Sequence, residues 1–166
     1  VELEYFAVRS TTGVFDLSPM NKYRISGPDA ANFLDRMMTR NMHKLAIDRV
    51  AYVVWCNDAG QLMDDGTVFR LAENEYRLCS YARANDWLHW CSLGFDVTIT
   101  DETAEVAALA VQGPTSCSTL TAMGLEGLQE LKPFDIRNYS FDGEILSVSR
   151  TGFTGDLGYE LWITPS

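Results

Sequence analysis

Two adjacent carboxylates, Asp64 and Asp65, lie inside a stretch whose other residues predict a β-strand. An apolar run at 53–56, turn residues at 57–60 and a returning run at 62–69 together predict a β-hairpin. Because side chains alternate along a strand, the two acids must face opposite sides of the sheet. One of them can face water, but an unpaired carboxylate on the packed or cleft side is costly. We therefore expect a polar or cationic group to meet one of these acids.

A glycine-rich segment, residues 150–160, is the second candidate for chemistry. Its three glycines within seven residues permit positive φ angles and close approach of the backbone. The segment joins two predicted strands rather than a strand and a helix, which disfavours a nucleotide-binding loop. Glu160 lies in the second of these strands. It can serve a ligand, or it can simply face solvent or pair with Arg150, and the segment alone leaves both interpretations open.

Two parts of the chain that must position these residues share one order of elements: a strand, a Gly-Pro pair and a helix. The first copy has its strand at 22–26 and its helix at about 30–39. The second copy has its strand at 106–112 and its helix at 115–122. Spacings of three and four residues predict a buried face on the first helix. That face consists of Ala30, Phe33, Leu34, Met37 and Met38.

The doubled module predicts an α+β fold of two related strand-helix-strand subdomains, approximately 1–102 and 103–166. The chain begins in a helical pattern without an initiator methionine, and it closes on a predicted strand that ends at Pro165. From these ends we expect a fragment of a longer protein.

Composition narrows the classes of partner. The formal net charge is -10, from 23 acidic and 13 basic residues, which argues against nucleic acid and against an anionic membrane surface. No apolar run approaches the roughly 20 residues of a membrane helix, and no signal-peptide pattern is present. The four cysteines are widely spaced and accompany only two histidines, so we expect no metal site and reduced thiols in a cytoplasmic protein.

Several motifs in the same order resemble the aminomethyltransferase (glycine cleavage T-protein) family. They lie at 13–20, 26–30, 57–65, 111–114 and 149–161. The resemblance covers nearly the whole chain. It implies that residues 1–166 form the family's folate-binding region, without the C-terminal barrel of the longer members.

The resemblance also implies roles for individual residues. Asp65 matches the second acid of the family's Asp-Asp pair, which meets tetrahydrofolate at the reacting nitrogens. Glu160 matches the acid that holds the pterin ring, and Tyr52 matches the tyrosine that precedes the hairpin turn. The other positions that match the lining of the folate pocket are Met20, Thr67, Phe69 and Phe153.

These residue types suit that chemistry. The pterin presents an edge of N–H donors, which a carboxylate such as Glu160 accepts as a bidentate pair. A second carboxylate near N5 and N10, here Asp65, can stabilise cationic character on the one-carbon unit or relay a proton. Apolar and aromatic walls would hold the ring and exclude water.

The implied function is a tetrahydrofolate-dependent transferase that moves a methyl or aminomethyl group from a small donor, with a lipoyl carrier protein as a candidate partner. Pro19 and Gln61 depart from the usual family residues and keep a demethylase branch open. Two other functions also remain open. One is a non-catalytic folate-binding protein of the iron-sulfur maintenance type, and the other is the folate domain of a flavin-dependent amine dehydrogenase.

Overall fold

The computed structural model describes residues 1–164, which fall into two compact units. We call Pro19–Ala104 the continuous unit. The split unit combines Val1–Ser18 with the residues from Glu105 onward. Each unit contains one five-stranded sheet. None of the described helices is long and apolar enough to cross a lipid bilayer.

The elements alternate along the chain much as the sequence predicts. The strands are β1 Gly13–Asp16, β2 Asn21–Ser26, β3 Arg49–Cys56, β4 Leu62–Ala72, β5 Glu75–Ser80, β6 Thr98–Asp101, β7 Ala107–Gln112, β8 Ile136–Phe141, β9 Glu144–Ser149 and β10 Gly158–Ile163. The α-helices are α1 Glu2–Ser10, α2 Ala30–Met37, α3 Asn85–Cys91 and α4 Ser116–Ala122. Short 3-10 helices lie at Met42–Lys44 and Leu128–Glu130.

The continuous unit has the strand order β3-β4-β5-β2-β6, and every neighbouring pair is antiparallel. Its core lies on one face of the sheet, where α2 and α3 pack. The α2 side chains predicted to be inward are buried, except that Met37 is only partly so. The helix ends at Met37, two residues earlier than predicted, because Met38 takes an extended conformation and bridges to Trp55.

The split unit has the strand order β1-β7-β10-β9-β8, again antiparallel throughout. Its core lies between one face of the sheet, α4 and the 3-10 helix Leu128–Glu130. The buried members are Val111, Leu120, Leu125, Leu128, Leu131, Leu146, Val148, Tyr159 and Leu161. The opposite face carries the alternate residues of the same strands, among them Glu160.

The two units repeat one topology, which confirms the predicted two-subdomain α+β fold. The run from β2 to β5 and the run from β7 to β10 each contain a strand, an α-helix, a 3-10 helix and three more strands, arranged in the same order in the sheet. Gly27 and Gly113 follow the first strand of each run with φ of 135° and 129°. A Cβ at Gly113 would lie 2.3 Å from the Thr11 carbonyl oxygen, so only glycine fits that turn.

The structure divides the chain differently from the predicted boundary between 102 and 103. One boundary lies between residues 104 and 105, but residues 1–18 belong with the later part of the chain. The reason is strand pairing, because β1 joins β7 with Val14 opposite Val111. The predicted stop at Pro165 lies outside the described residues.

Candidate functional site

The two adjacent acids face opposite sides of the sheet, as the alternation predicts. Asp65 Oδ2 accepts a hydrogen bond of 2.8 Å from the Tyr52 hydroxyl. Asp64 Oδ2 accepts a bond of 3.3 Å from the Ala82 backbone N–H. Each acid therefore meets a neutral polar group. The Asp65 carboxylate is exposed to solvent and remains open to further donors.

Three further predicted residues share a sheet face with Asp65. Tyr52 and Thr67 are direct cross-strand partners, while Phe69 lies two residues beyond Thr67 on the same strand. Tyr52 is 51% exposed and Phe69 is buried. Gly66 lets β4 lie close to β5, because a Cβ there would lie 2.2 Å from the Cys79 carbonyl oxygen.

The Tyr52 hydroxyl is tuned by its neighbour. Its hydrogen bond to Asp65 is the largest cause of a raised pKa, and partial burial and the nearby negative charge add to the effect. Ionisation of the tyrosine would remove the donated proton and place a second negative charge beside the carboxylate. Tyr52 therefore stays a donor at neutral pH and holds one oxygen of Asp65.

The sequence interpretation missed a buried ionic cluster on this face of the continuous unit. Arg77 lies between Phe69 and Arg24 in the cross-strand register. Both arginines bind Glu102, Arg24 through Nε at 3.0 Å and Arg77 through its own Nε. Arg24 also pairs with Glu75. Because these charges pair with one another, we interpret the cluster as part of the sheet structure rather than as a site for a ligand.

Glu160 has a different environment in the split unit. Its residue is 8% exposed, and it lies in β10 opposite Ala110 on one side and Ser149 on the other. Burial raises the pKa of the carboxyl, while a hydrogen bond of 2.5 Å from the Thr151 hydroxyl to Oε2 opposes that rise. Within residues 1–164 no cationic side chain pairs with it. Arg150 instead donates to the Leu131 carbonyl oxygen at 2.5 Å, so the alternative of an Arg150 pair is wrong.

A chain of buried polar side chains extends behind Glu160. Thr151 Oγ1 lies 2.7 Å from Ser149 Oγ, which accepts a bond of 3.1 Å from Trp162 Nε1. All of these residues are less than a tenth exposed. Sequence reasoning missed the two hydroxyls. Alternation along β9 and β10 was the available signal, since it places Ser149 and Trp162 on the face of Glu160.

The glycine-rich segment closes around a buried glutamine rather than forming a cradle for phosphate. Gln112 Nε2 donates to the Thr151 carbonyl oxygen at 3.2 Å. Gln112 Oε1 accepts from the Thr154 hydroxyl at 3.1 Å. A Cβ at Gly152 or Gly158 would lie 2.0 Å from Gln112 Oε1, so a side chain at either position would displace the Gln112 amide from this loop. The loop therefore fixes Thr151 beside Glu160.

The remaining predicted residues, Phe153 and Met20, have looser surroundings. Phe153 is 65% exposed and meets the ring of Phe15 edge-on, with 5.5 Å between the centroids. Met20 is half-buried in the turn before β2, and its carbonyl oxygen accepts a bond of 2.9 Å from Lys22 Nζ. Met20 thus belongs to the continuous unit with Asp65, and Phe153 belongs to the split unit with Glu160.

Together these features define a duplicated α+β domain with two unlike carboxylates. One is exposed and held by a tyrosine, while the other is buried with no cation among the described residues. A buried carboxylate of this kind suits a small ligand that presents hydrogen-bond donors. A family model described as the GCVT N-terminal domain matches residues 1–166. The chain belongs to this family.

Known proteins agree with that assignment. An aminomethyltransferase of Shouchella clausii is 36% identical over 98% of this chain and 46% of its own length. The crystal structure of glycine cleavage system aminomethyltransferase T from Bartonella henselae matches with a TM-score of 0.85 and 27% identity, over 98% of this chain and 44% of that one. Heterotetrameric sarcosine oxidase from Corynebacterium sp. U-96 shares the fold alone, with a TM-score of 0.61, 13% identity and coverage of 98% and 82%. The chain spans about half the length of the curated relatives it matches.

Proposed function

We propose that the protein transfers a one-carbon unit, as a methyl or aminomethyl group, from a small donor to tetrahydrofolate. Family membership and the names of the relatives support this class of reaction. The observation that carries the proposal is the Glu160 carboxylate, which is buried, has a raised pKa and lacks a cationic partner among residues 1–164. Such a group is costly in an empty fold and becomes useful when a ligand supplies donors.

The Glu160 carboxylate fits the pterin of tetrahydrofolate. Its Oε2 accepts from Thr151, and an ionised carboxylate has acceptor positions left on both oxygens. The pterin edge carries adjacent N–H donors, which match a carboxylate as a bidentate pair. We therefore assign Glu160 to hold the pterin ring, and we assign Phe153 to an aromatic wall beside it.

Asp65 is the residue we assign to the reaction itself. Tetrahydrofolate, when bound, supplies the nucleophilic nitrogens that accept the one-carbon unit. The Asp65 carboxylate is exposed and oriented by Tyr52, so it can stabilise positive charge near those nitrogens or take up a proton. Tyr52 fixes one carboxylate oxygen and leaves the other for this role. We assign Met20, Thr67 and Phe69, which belong to the same unit as Asp65, to the wall beside that carboxylate.

The donor and the protein partner belong to the same proposal. The Bartonella henselae relative is the aminomethyltransferase of a glycine cleavage system. That relationship favours an aminomethyl group on a lipoyl carrier protein, and a free methylated compound is the competing donor. The departures at Pro19 and Gln61 make this a choice to be measured with both donor classes.

The proposal is tested by one-carbon transfer with the full gene product and its Asp65→Asn variant. The variant keeps the size of the side chain but removes its charge, and we expect turnover to fall by about 10²–10⁴-fold. Tetrahydrofolate should still bind, because Glu160 is intact. Asp64→Asn is the matched control, since it changes the neighbouring acid on the other face of the sheet. Equal turnover in wild type and Asp65→Asn would remove Asp65 from the mechanism. Binding of tetrahydrofolate without transfer from either donor class would favour a non-catalytic protein.

A further inference from the structure

The buried side chains behind Glu160 form a chain of hydrogen bonds that can run in one direction toward the carboxylate. An indole N–H only donates, so Trp162 must donate to Ser149 Oγ at 3.1 Å. Ser149 can then donate its own proton to Thr151 Oγ1 at 2.7 Å. Thr151 donates its proton to Glu160 Oε2 at 2.5 Å. In this arrangement the chain ends on the carboxylate as a donated hydrogen bond.

A protonated Glu160 would weaken this bond. A proton on Oε1 leaves Oε2 an uncharged and weaker acceptor for Thr151, and a proton on Oε2 competes with the Thr151 proton for the 2.5 Å contact. The chain of donors consequently favours the ionised form of Glu160, and it acts against the effect of burial on that carboxyl.

We propose that Thr151 is a positioning residue whose hydroxyl, oriented by Ser149 and Trp162, keeps Glu160 an ionised acceptor aimed at the donor edge of a pterin. This inference rests on the proposed function, because it concerns how the same ligand is recognised. It adds a role for three residues that do not themselves contact the ligand in our account. The loop closed on Gln112 holds the Thr151 backbone in place, so the hydroxyl needs no ligand to be ordered.

The expected pH behaviour follows from the direction of the bond. A hydrogen bond to the ionised form lowers the pKa of Glu160, so its removal in Thr151→Val raises that pKa further. Binding of tetrahydrofolate requires the ionised carboxylate in this account. The pH below which the protein loses affinity should therefore move upward in Thr151→Val, and Thr151→Ser should return it toward the wild-type position.

The experiment is calorimetric titration of tetrahydrofolate into the full gene product between pH 5 and pH 8, under reducing anaerobic conditions. We expect Thr151→Val to weaken binding at neutral pH by about tenfold or more, the range for a hydrogen bond to a charged group. Thr121→Val is the matched control, because it makes the same chemical change at an exposed helix position whose hydroxyl donates to the Cys117 carbonyl oxygen. If Thr151→Val does not fold, Ser149→Ala removes the donor to Thr151 and should shift the profile in the same direction by less.

A second readout separates this inference from the proposed function. The carboxyl carbon of Glu160 can be titrated by NMR in the unliganded protein, where Thr151→Val should raise its pKa. If the wild type binds no tetrahydrofolate, the proposed function fails, while this titration still decides the role of Thr151. An unchanged Glu160 pKa overturns the inference. An equal loss of affinity at every pH, without rescue by Thr151→Ser, overturns it as well.

Discussion

Arg77 and Glu160 occupy the same place in the two related sheets. Arg77 lies opposite Arg24, which is three residues before Gly27. Glu160 lies opposite Ala110, which is three residues before Gly113, the corresponding glycine of the split unit. Both are buried and charged in type, yet their partners differ. Arg77 meets Glu102 within a closed ionic cluster, whereas Glu160 meets one hydroxyl and no cation among residues 1–164.

The comparison separates a structural charge from a charge held for a ligand. A buried charge whose partners are all in the protein stabilises a particular arrangement of strands. A buried carboxylate without a cation keeps acceptor capacity that only an added donor can use. The same fold position thus serves stability in the continuous unit and, in our proposal, recognition in the split unit.

The largest effect on stability that we predict concerns Arg77, the structural charge in this comparison. Arg77→Met leaves the buried Glu102 with one arginine instead of two, and we expect the free energy of unfolding to fall by about 3–5 kcal/mol. Denaturation in urea measures the change. Arg137→Met is the control, because it breaks a more exposed pair with Glu130 at 3.5 Å and one hydrogen bond to the Gly127 carbonyl oxygen, and it should cost about 1–2 kcal/mol. A similarly small loss in Arg77→Met would mean that the cluster is not structural.

At Glu160 we expect a smaller effect of opposite sign on the free energy of unfolding. Because burial raises the pKa of folded Glu160 above its ordinary value, the ionised carboxylate destabilises the fold at pH values above that raised pKa. Glu160→Gln should therefore be more stable than wild type at neutral pH. The advantage should shrink as the pH falls through the folded pKa and vanish below the ordinary carboxyl pKa.

Urea denaturation at neutral pH and at pH 4 tests this sign, with the exposed Glu126→Gln as the matched control. The assignment would be contradicted if the stability advantage of Glu160→Gln over wild type were larger at pH 4 than at neutral pH. A large destabilisation at neutral pH, which is the result expected of a residue like Arg77, would contradict it as well.

The smallest effect concerns the exposed carboxylate. Asp65→Asn removes the negative charge that accepts from Tyr52, so the pKa of Tyr52 should fall back toward 10.0. NMR titration of labelled tyrosines measures it, with Tyr52→Phe to assign the signal. Stability should change little at this exposed pair. An unchanged Tyr52 pKa would show that the hydrogen bond does not persist in solution.

Local features of the fold could be predicted from the sequence because nearby residues determine them. Alternation placed Asp64 and Asp65 on opposite faces, and the Gly-Pro pairs marked the turn between strand and helix in both modules. The position of residues 1–18 could not be predicted, since it depends on Val14 meeting Val111 across two strands that are far apart in the chain. Strand pairing of this range leaves no mark in a local pattern.

The candidate site shows the same division. The family resemblance supplied Asp65 and Glu160, but it did not supply what holds them. Arg24 and Glu102 are 78 residues apart, and the link from Ser149 to Thr151 depends on a loop whose shape is set by Gln112. Alternation along β9 could place Ser149 on the face of Glu160, but Thr151 lies in a loop, where no such pattern marks its position.

The most direct test of the central claim is calorimetric titration of tetrahydrofolate into the wild-type full gene product and Glu160→Gln, under reducing anaerobic conditions. Our account predicts binding in the micromolar range for the wild type. It predicts affinity weaker by about ten- to a hundredfold for the variant, which loses a charged acceptor but keeps the fold. Equal affinity in the two proteins would contradict the role of Glu160, and a folded wild type that binds no tetrahydrofolate would contradict the proposed function.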